Sequence, residues 1–121
     1  MACSNSVLTY TPSALHNAIL YHLKYSLGKT PENASRRELF LALVLAVRDS
    51  LVDRMLETEA RYRKADTKRL YYLSMEFLIG RSLGNNLANL GLVDFCRQVL
   101  HGMELDLEDI LGREDDAALG N

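Results

Sequence analysis

The chain has 121 residues, of which 48% are hydrophobic, and a formal net charge of −2. This length fits one small domain, and a slightly acidic chain lacks the basic excess expected of a nucleic-acid-binding protein. The longest apolar run, residues 39–47, is about half of the ~20 residues that a membrane-spanning helix needs, so we expect neither a nucleic-acid nor a membrane partner.

The sequence of residues 1–10 predicts a loose lead-in and lacks the basic and apolar regions of a secretory signal. An amphipathic helix is predicted next, because Thr11 is a suitable N-cap and Pro12 suits the first helical position. Four aliphatic residues recur at four-residue spacing and form its apolar face: Leu15, Ile19, Leu23 and Leu27. Gly28 is well placed to end this helix.

A longer second helix is predicted from Ser35 and Glu38, which match a capping box. Residues 39–47 are apolar on every side, so this half of the helix must be covered all round. The second half is amphipathic, and three of its residues are predicted to face inward: Leu51, Met55 and Leu56.

A basic stretch, residues 61–69, carries five positive charges towards the end of the second helix. Such a stretch either contacts an anion or nucleotide, or forms a solvated helix end where cations suit the helix dipole. Charge alone favours the solvated helix end.

Residues 70–79 are mostly apolar or aromatic, with one carboxylate, Glu76, and Gly80 just beyond them. This pattern predicts a buried strand. No second strand of this quality is present in the sequence, so the strand lacks its partners here. Short helices are predicted to follow, ended by Gly91 and Gly102. The predicted fold class is mostly α with one buried strand.

Few patterns in the sequence indicate chemistry, because no Ser/His/Asp grouping, HExxH, CxxC or P-loop motif is evident. Cys3 and Cys96 have no disulfide or metal-ligand spacing, so we expect inert thiols in the reducing cytoplasm and no metal site. Glu76 differs, because a carboxylate at a strand end before a glycine and a helix lies where open α/β sheets bind ligands. Alternatively, a neighbouring arginine satisfies this carboxylate.

Residues 71–81, Tyr-Tyr-Leu-Ser-Met-Glu-Phe-Leu-Ile-Gly-Arg, closely resemble the first core strand of the α-glucan phosphorylases, which are the glycogen and maltodextrin phosphorylases. The resemblance continues through residues 84–87. Residues 46–52 look like the long N-terminal helix of that family, and residues 116–121 look like the start of its glycine-rich loop. The opening of the chain is similar to bacterial glycogen phosphorylases, and the whole chain resembles an N-terminal fragment of such an enzyme.

This resemblance implies an α/β enzyme with two Rossmann-like domains of the GT-B glycosyltransferase type, acting as a homodimer. Family members cleave the end of an α-1,4-glucan with inorganic phosphate and release glucose 1-phosphate. Their pyridoxal phosphate is bound to a lysine of the C-terminal domain, which has no counterpart in this chain. The 121 residues alone are therefore expected to be inactive and to hold no catalytic residue.

The resemblance also suggests residues near the substrate. Glu76 corresponds to the strand-end glutamate beside the glucose site, and Gly120 and Asn121 are the first residues of the loop that closes over phosphate. Tyr62 and Arg63 are weaker candidates for an allosteric nucleotide site. Animal relatives have a stacking tyrosine at the position of Arg63, and an arginine there retains only its pairing with phosphate.

The same resemblance divides the chain into three segments. Residues 1–33 are the N-terminal helix and connector, residues 34–67 are the long helix, and residues 68–121 begin the N-terminal α/β domain, with the cofactor domain absent. The alternative is a free-standing helical interaction or regulatory module derived from a phosphorylase N-terminus. Because the predicted strand lacks partners, we expect exposed apolar surface and self-association.

Overall fold

The computed structural model describes residues 11–120, which fold around one hydrophobic core. The helices are α1 (Pro12–Tyr25), α2 (Arg36–Ala65), α3 (Leu83–Leu90), α4 (Val93–Gly102) and α5 (Leu107–Leu111). The strands are β1 (Phe77–Gly80) and β2 (Ala117–Leu119), which pair with each other. The prediction of a mostly helical fold is confirmed for the described residues.

Helix α1 begins at the predicted N-cap but ends at Tyr25, three residues before Gly28, so Leu27 of the predicted apolar face lies beyond the helix. Thr11 Oγ1 accepts a hydrogen bond from the backbone N–H of Ala14 at 3.2 Å, which satisfies one of the free donors at the helix start. After the helix, the Lys29 N–H donates to the Leu23 carbonyl at 2.9 Å, and Gly28 has a φ of +66° that suits glycine. Three residues of the predicted apolar face are buried: Leu15, Ile19 and Leu23.

Helix α2 opens with the predicted capping box. Ser35 Oγ accepts from the Glu38 N–H at 3.2 Å, and Glu38 Oε2 accepts from the Ser35 N–H at 2.7 Å. These hydrogen bonds hold the pKa of Glu38 below its ordinary value. Helices α1 and α5 pack against α2 and help to bury six residues of its apolar half: Leu39, Phe40, Ala42, Leu43, Ala46 and Val47. The apolar half of α2 is therefore largely covered by other helices, as predicted.

The second half of α2 differs from its prediction. Met55 and Leu56 are each 56% exposed, whereas Leu51 is half-buried against the core. The reason is length: α2 has 30 residues and α1 has 14, or about 45 and 21 Å at 1.5 Å per residue. The end of α2 therefore extends past the helix that packs against it.

The predicted buried strand is wrong in its burial and its length. Within residues 70–79, only the end belongs to β1, and residues 70–76 have no regular structure. Leu70, Leu73 and Leu78 are 96%, 93% and 83% exposed. An apolar strand is buried only when other elements cover both of its faces, and the described residues supply one short partner strand.

That partner, β2, was not predicted from the sequence. It runs antiparallel to β1. Phe77 pairs with Leu119, Leu78 with Ala118 and Gly80 with Ala117, and the register is irregular between Leu78 and Gly80. A ribbon of two such short strands is marginally stable in water by itself. Its register must therefore be supported by contacts outside the ribbon.

Cys96 lies on α4 inside the core, with no exposed surface. Burial raises the pKa of its thiol to about 12, so the reactive thiolate is scarce at neutral pH. This agrees with the predicted inert thiol. Cys3, the other predicted inert thiol, lies outside the described residues.

Ser50 on α2 is buried, and its Oγ has no hydrogen-bond partner among the described residues. A desolvated hydroxyl without a partner is unfavourable.

We expect Ser50→Ala to raise the free energy of unfolding by up to about 1 kcal/mol, since it removes this hydroxyl and improves helix propensity. Urea denaturation measures the change. The control Ser35→Ala removes a satisfied N-cap and should lower the same free energy by about 1 kcal/mol. A loss of stability in Ser50→Ala would contradict this explanation.

Candidate functional site

The antiparallel ribbon brings Glu76 and Gly120 to the same end. Glu76 immediately precedes β1 and Gly120 immediately follows β2, and the first ribbon pair joins Phe77 to Leu119. An open cleft of about 340 Å³ forms here. Its lining residues come from both chain segments: Glu76, Phe77, Leu78, Ala118, Leu119 and Gly120. Two of the three residues predicted near a substrate thus lie together, and the third, Asn121, is outside the described residues.

Gly120 lies unusually close to the backbone before β1. A Cβ atom built on Gly120 would lie 2.5 Å from the Met75 carbonyl oxygen and 2.8 Å from Glu76 Cγ. The φ of Gly120 is +78°, which also disfavours any other residue. The residue type at this position is therefore dictated by backbone approach, and Gly120 is in direct contact with the segment that carries Glu76.

The backbone of Glu76 is held locally by Ser74. Ser74 Oγ accepts from the Glu76 N–H at 3.1 Å and donates to the Glu76 carbonyl oxygen at 2.9 Å. The Glu76 side chain is exposed and makes no ion pair or hydrogen bond with any residue between 11 and 120. None of the arginines in the described part of the chain pairs with Glu76, so its carboxylate is free to accept hydrogen bonds.

Glu114 is a residue of this region that sequence reasoning missed. Its Oε1 accepts from the Ser82 N–H at 2.7 Å and the Leu83 N–H at 3.1 Å, and its Oε2 accepts from the Leu83 N–H at 3.0 Å. The carboxylate thereby caps α3, which has no cap from its own Ser82 side chain. More than thirty positions separate the partners, so no local pattern could have revealed this contact.

The two candidates for nucleotide binding are not brought together. Tyr62 lines a surface groove with the basic residues that follow α2, whereas Arg63 does not line it. The Arg69 guanidinium carbon lies 5.9 Å from the Tyr62 ring centroid, and Arg69 Nη1 pairs with Glu59 Oε2 at 2.9 Å. The tyrosine ring therefore already has a cation from the chain itself beside it.

A Ser/His/Asp grouping that the sequence did not reveal joins α1 to α2. His22 Nε2 lies 2.7 Å from Asp49 Oδ2, and His22 Nδ1 lies 2.9 Å from Ser26 Oγ. Ser26 is the C-cap of α1, where helix carbonyls create negative potential. A hydrolytic triad needs donors that stabilise a developing oxyanion, and this location offers the opposite. We interpret the grouping as a structural link.

Comparison with known proteins identifies relatives of this chain. No family model matches. Brain-form glycogen phosphorylase of Bos taurus is 47% identical over 100 residues, which are 83% of this chain and 12% of that protein. The glycogen phosphorylases of Pasteurella multocida (strain Pm70) and Chlamydia pneumoniae are 41% and 44% identical, over 92% and 89% of this chain.

Most of this chain is therefore homologous to proteins named glycogen phosphorylase. The resemblance seen in the sequence is confirmed, and the relatives include bacterial and mammalian proteins. The chain spans only 12–14% of the length of the curated relatives it matches.

Two further properties of this chain concern other classes of site. Within residues 11–120, no group of three or more His, Cys, Asp or Glu side chains is arranged to hold a metal ion. Over the same residues, no helix is both long and apolar enough to cross a membrane.

Proposed function

We propose that this chain contributes the region around Glu76 to an α-1,4-glucan phosphorylase, which releases glucose 1-phosphate from glucan ends with inorganic phosphate. The observation that carries the proposal is 41–47% identity to proteins named glycogen phosphorylase over most of the chain. The placement of Gly120 beside Glu76 supports it, because both residues were expected near the substrate.

In this proposal the chain's own residues bind and orient substrate and leave the bond-breaking chemistry to other residues. The free Glu76 carboxylate is suited to accept hydrogen bonds from sugar hydroxyls. Gly120 lies directly against the backbone of Met75 and Glu76, because it has no side chain to separate the two segments. By the resemblance, Asn121 would be the next residue of the loop that closes over phosphate. Together they would form one wall of a substrate site.

Pyridoxal phosphate does not fit the described residues. When bound as a Schiff base, this cofactor needs a lysine at the reacting site. The chain has four lysines, and none lines the cleft: Lys24, Lys29, Lys64 and Lys68. All four lie in or next to the α1–α2 connection or the end of α2. We therefore propose that residues other than these hold the cofactor and that the 121-residue chain alone is inactive.

The proposal extends to the domain organisation, location and oligomeric state that the family resemblance implies. Residues 68–121 would begin the first α/β domain of a two-domain GT-B enzyme, with residues 1–33 and 34–67 as the helical segments before it. The complete enzyme would be a cytoplasmic homodimer. The exposed apolar segment 70–79 is compatible with this proposal, because further strands of a larger sheet would cover it.

A hybrid enzyme tests the proposal, in which this chain replaces the matching stretch of the Pasteurella multocida glycogen phosphorylase. We expect the hybrid to release glucose 1-phosphate from glycogen only when phosphate is present, and the chain alone to release none. In the hybrid, Glu76→Gln should lower kcat/KM about 10- to 100-fold, the range for losing a hydrogen bond to a charged group.

The matched control is Glu57→Gln, which neutralises an exposed glutamate on α2 and should change kcat/KM less than about twofold. A folded hybrid without activity would contradict the proposal. If the chain alone instead bound intact phosphorylase subunits, the alternative of an interaction module would be favoured. Equal activity of the two glutamine variants would remove Glu76 from the substrate site.

A further inference from the structure

The Glu114 carboxylate joins the two chain segments that form the ribbon. It lies three residues before β2, and its hydrogen-bond partners lie just after β1. Besides the three contacts to backbone N–H groups, Ser82 Oγ donates to Glu114 Oε1 at 3.4 Å. The side chain is half-buried, and charge-assisted hydrogen bonds of this kind are among the stronger ones in proteins.

This contact closes the end of the ribbon opposite the cleft. Glu76 and Gly120 lie at one end, whereas Ser82 and Glu114 lie beyond the other end, where Gly80 pairs with Ala117. Four strand residues span about 13 Å at 3.3 Å per residue. Fixing the far end therefore sets which residues pair along the ribbon, and the pairing determines where Gly120 meets Glu76.

The other contacts that could hold the ribbon in place are weak. Arg37 Nη2 lies 3.8 Å from Asp115 Oδ2, and both side chains are largely exposed, so this ion pair contributes little. The ribbon itself buries almost no side chain, because the β2 residues and all of β1 except Gly80 are exposed. A short exposed ribbon needs such an external support to keep one register.

We propose that Glu114 is a positioning residue that holds β2 in register with β1 and so keeps Gly120 against Glu76. The importance of this positioning for catalysis rests on the proposed function, whereas the structural coupling does not. Reach decides the effect, since Glu114 Oε1 alone accepts from the Ser82 N–H, Ser82 Oγ and the Leu83 N–H. Glutamine retains this reach and one acceptor oxygen, and aspartate retains the charge but is one methylene too short.

A cross-strand disulfide measures the register without requiring activity. Leu78 and Ala118 are directly paired and exposed, so Leu78→Cys with Ala118→Cys gives a pair with suitable spacing. The background is the full chain with Cys3→Ser, and the buried Cys96 is retained. A glutathione buffer then reports the effective concentration of one thiol at the other.

We expect Glu114→Ala to lower this effective concentration at least about tenfold, the lower end for losing charged hydrogen bonds. Glu114→Asp should behave like alanine, and Glu114→Gln should restore most of the value. Asp115→Ala removes a neighbouring exposed carboxylate and should change the value less than about twofold. Because Glu114 also caps α3, the urea midpoint of the helical core should fall in Glu114→Ala, but by no more than in Ser35→Ala, which likewise removes one helix cap.

An unchanged effective concentration in Glu114→Ala would overturn the inference. So would rescue by aspartate but not glutamine, because charge near α3 rather than reach would then be responsible. A fall in the urea midpoint larger than that of Ser35→Ala would show a general structural role and also overturn the inference. In the hybrid enzyme, Glu114→Ala should lower kcat/KM at least about tenfold. If the disulfide result holds but the unsubstituted hybrid is inactive, the proposed function fails and the positioning role stands.

Discussion

Leu43→Ala is expected to lower the free energy of unfolding by about 2–5 kcal/mol, the range for deleting a fully buried leucine side chain. Leu43 has no exposed surface and lies in the apolar half of α2, against which α1 and α5 pack. Rigid helices on both sides limit the collapse that could refill the space. Since a domain of this size is stable by about 5–15 kcal/mol, the variant loses a large part of its stability.

Urea denaturation followed by circular dichroism at a helix wavelength gives the measurement. Met55→Ala is the control, because this residue of the same helix is 56% exposed and its truncation should cost less than about 0.5 kcal/mol. Equal losses in the two variants would mean that the packing of α2 against α1 and α5 does not stabilise the fold.

Replacing two exposed leucines of residues 70–79 should convert an associating chain into a monomer. Leu73 and Leu78 are 93% and 83% exposed, and burying a leucine side chain stabilises a contact by about 1.5–3 kcal/mol. The double variant Leu73→Lys and Leu78→Lys loses the burial free energy of both leucines in the contact between chains, and it adds like charges that repel each other. We expect its self-association constant to fall more than about 100-fold, since 1.4 kcal/mol is tenfold.

Sedimentation equilibrium at several concentrations checks this expectation. The control is Met55→Lys, which adds one charge at an exposed apolar residue elsewhere and should leave association within about threefold, as for a surface substitution. A compact monomer from the unsubstituted chain at high concentration would contradict the expectation, because the apolar segment would then be compatible with water.

The helices could be predicted from local signals. The capping box of Ser35 and Glu38 and the glycines after α1 and α3 act over three or four residues, and the structure contains each of these contacts. The outer half of α2 was mispredicted because apolar spacing says which residues share a face but not how far the neighbouring helix reaches. Met55 and Leu56 illustrate this limit.

The candidate site could be predicted only in part. Glu76 is a candidate because the sequence places a carboxylate at a strand end before a glycine and a helix, although in the structure it precedes β1. Gly120 is a candidate only through the resemblance. Strand β2 has three residues and no distinctive pattern, and the Glu114 contact spans more than thirty positions. Both depend on how the chain returns after α5, which local sequence does not specify.

The most direct measurement is phosphate-dependent release of glucose 1-phosphate by the hybrid enzyme. We expect the hybrid to release glucose 1-phosphate from glycogen only with phosphate, and Glu76→Gln to lower kcat/KM about 10- to 100-fold. A hybrid that is soluble and folded but releases no glucose 1-phosphate would show that these residues do not serve a phosphorylase, despite their sequence.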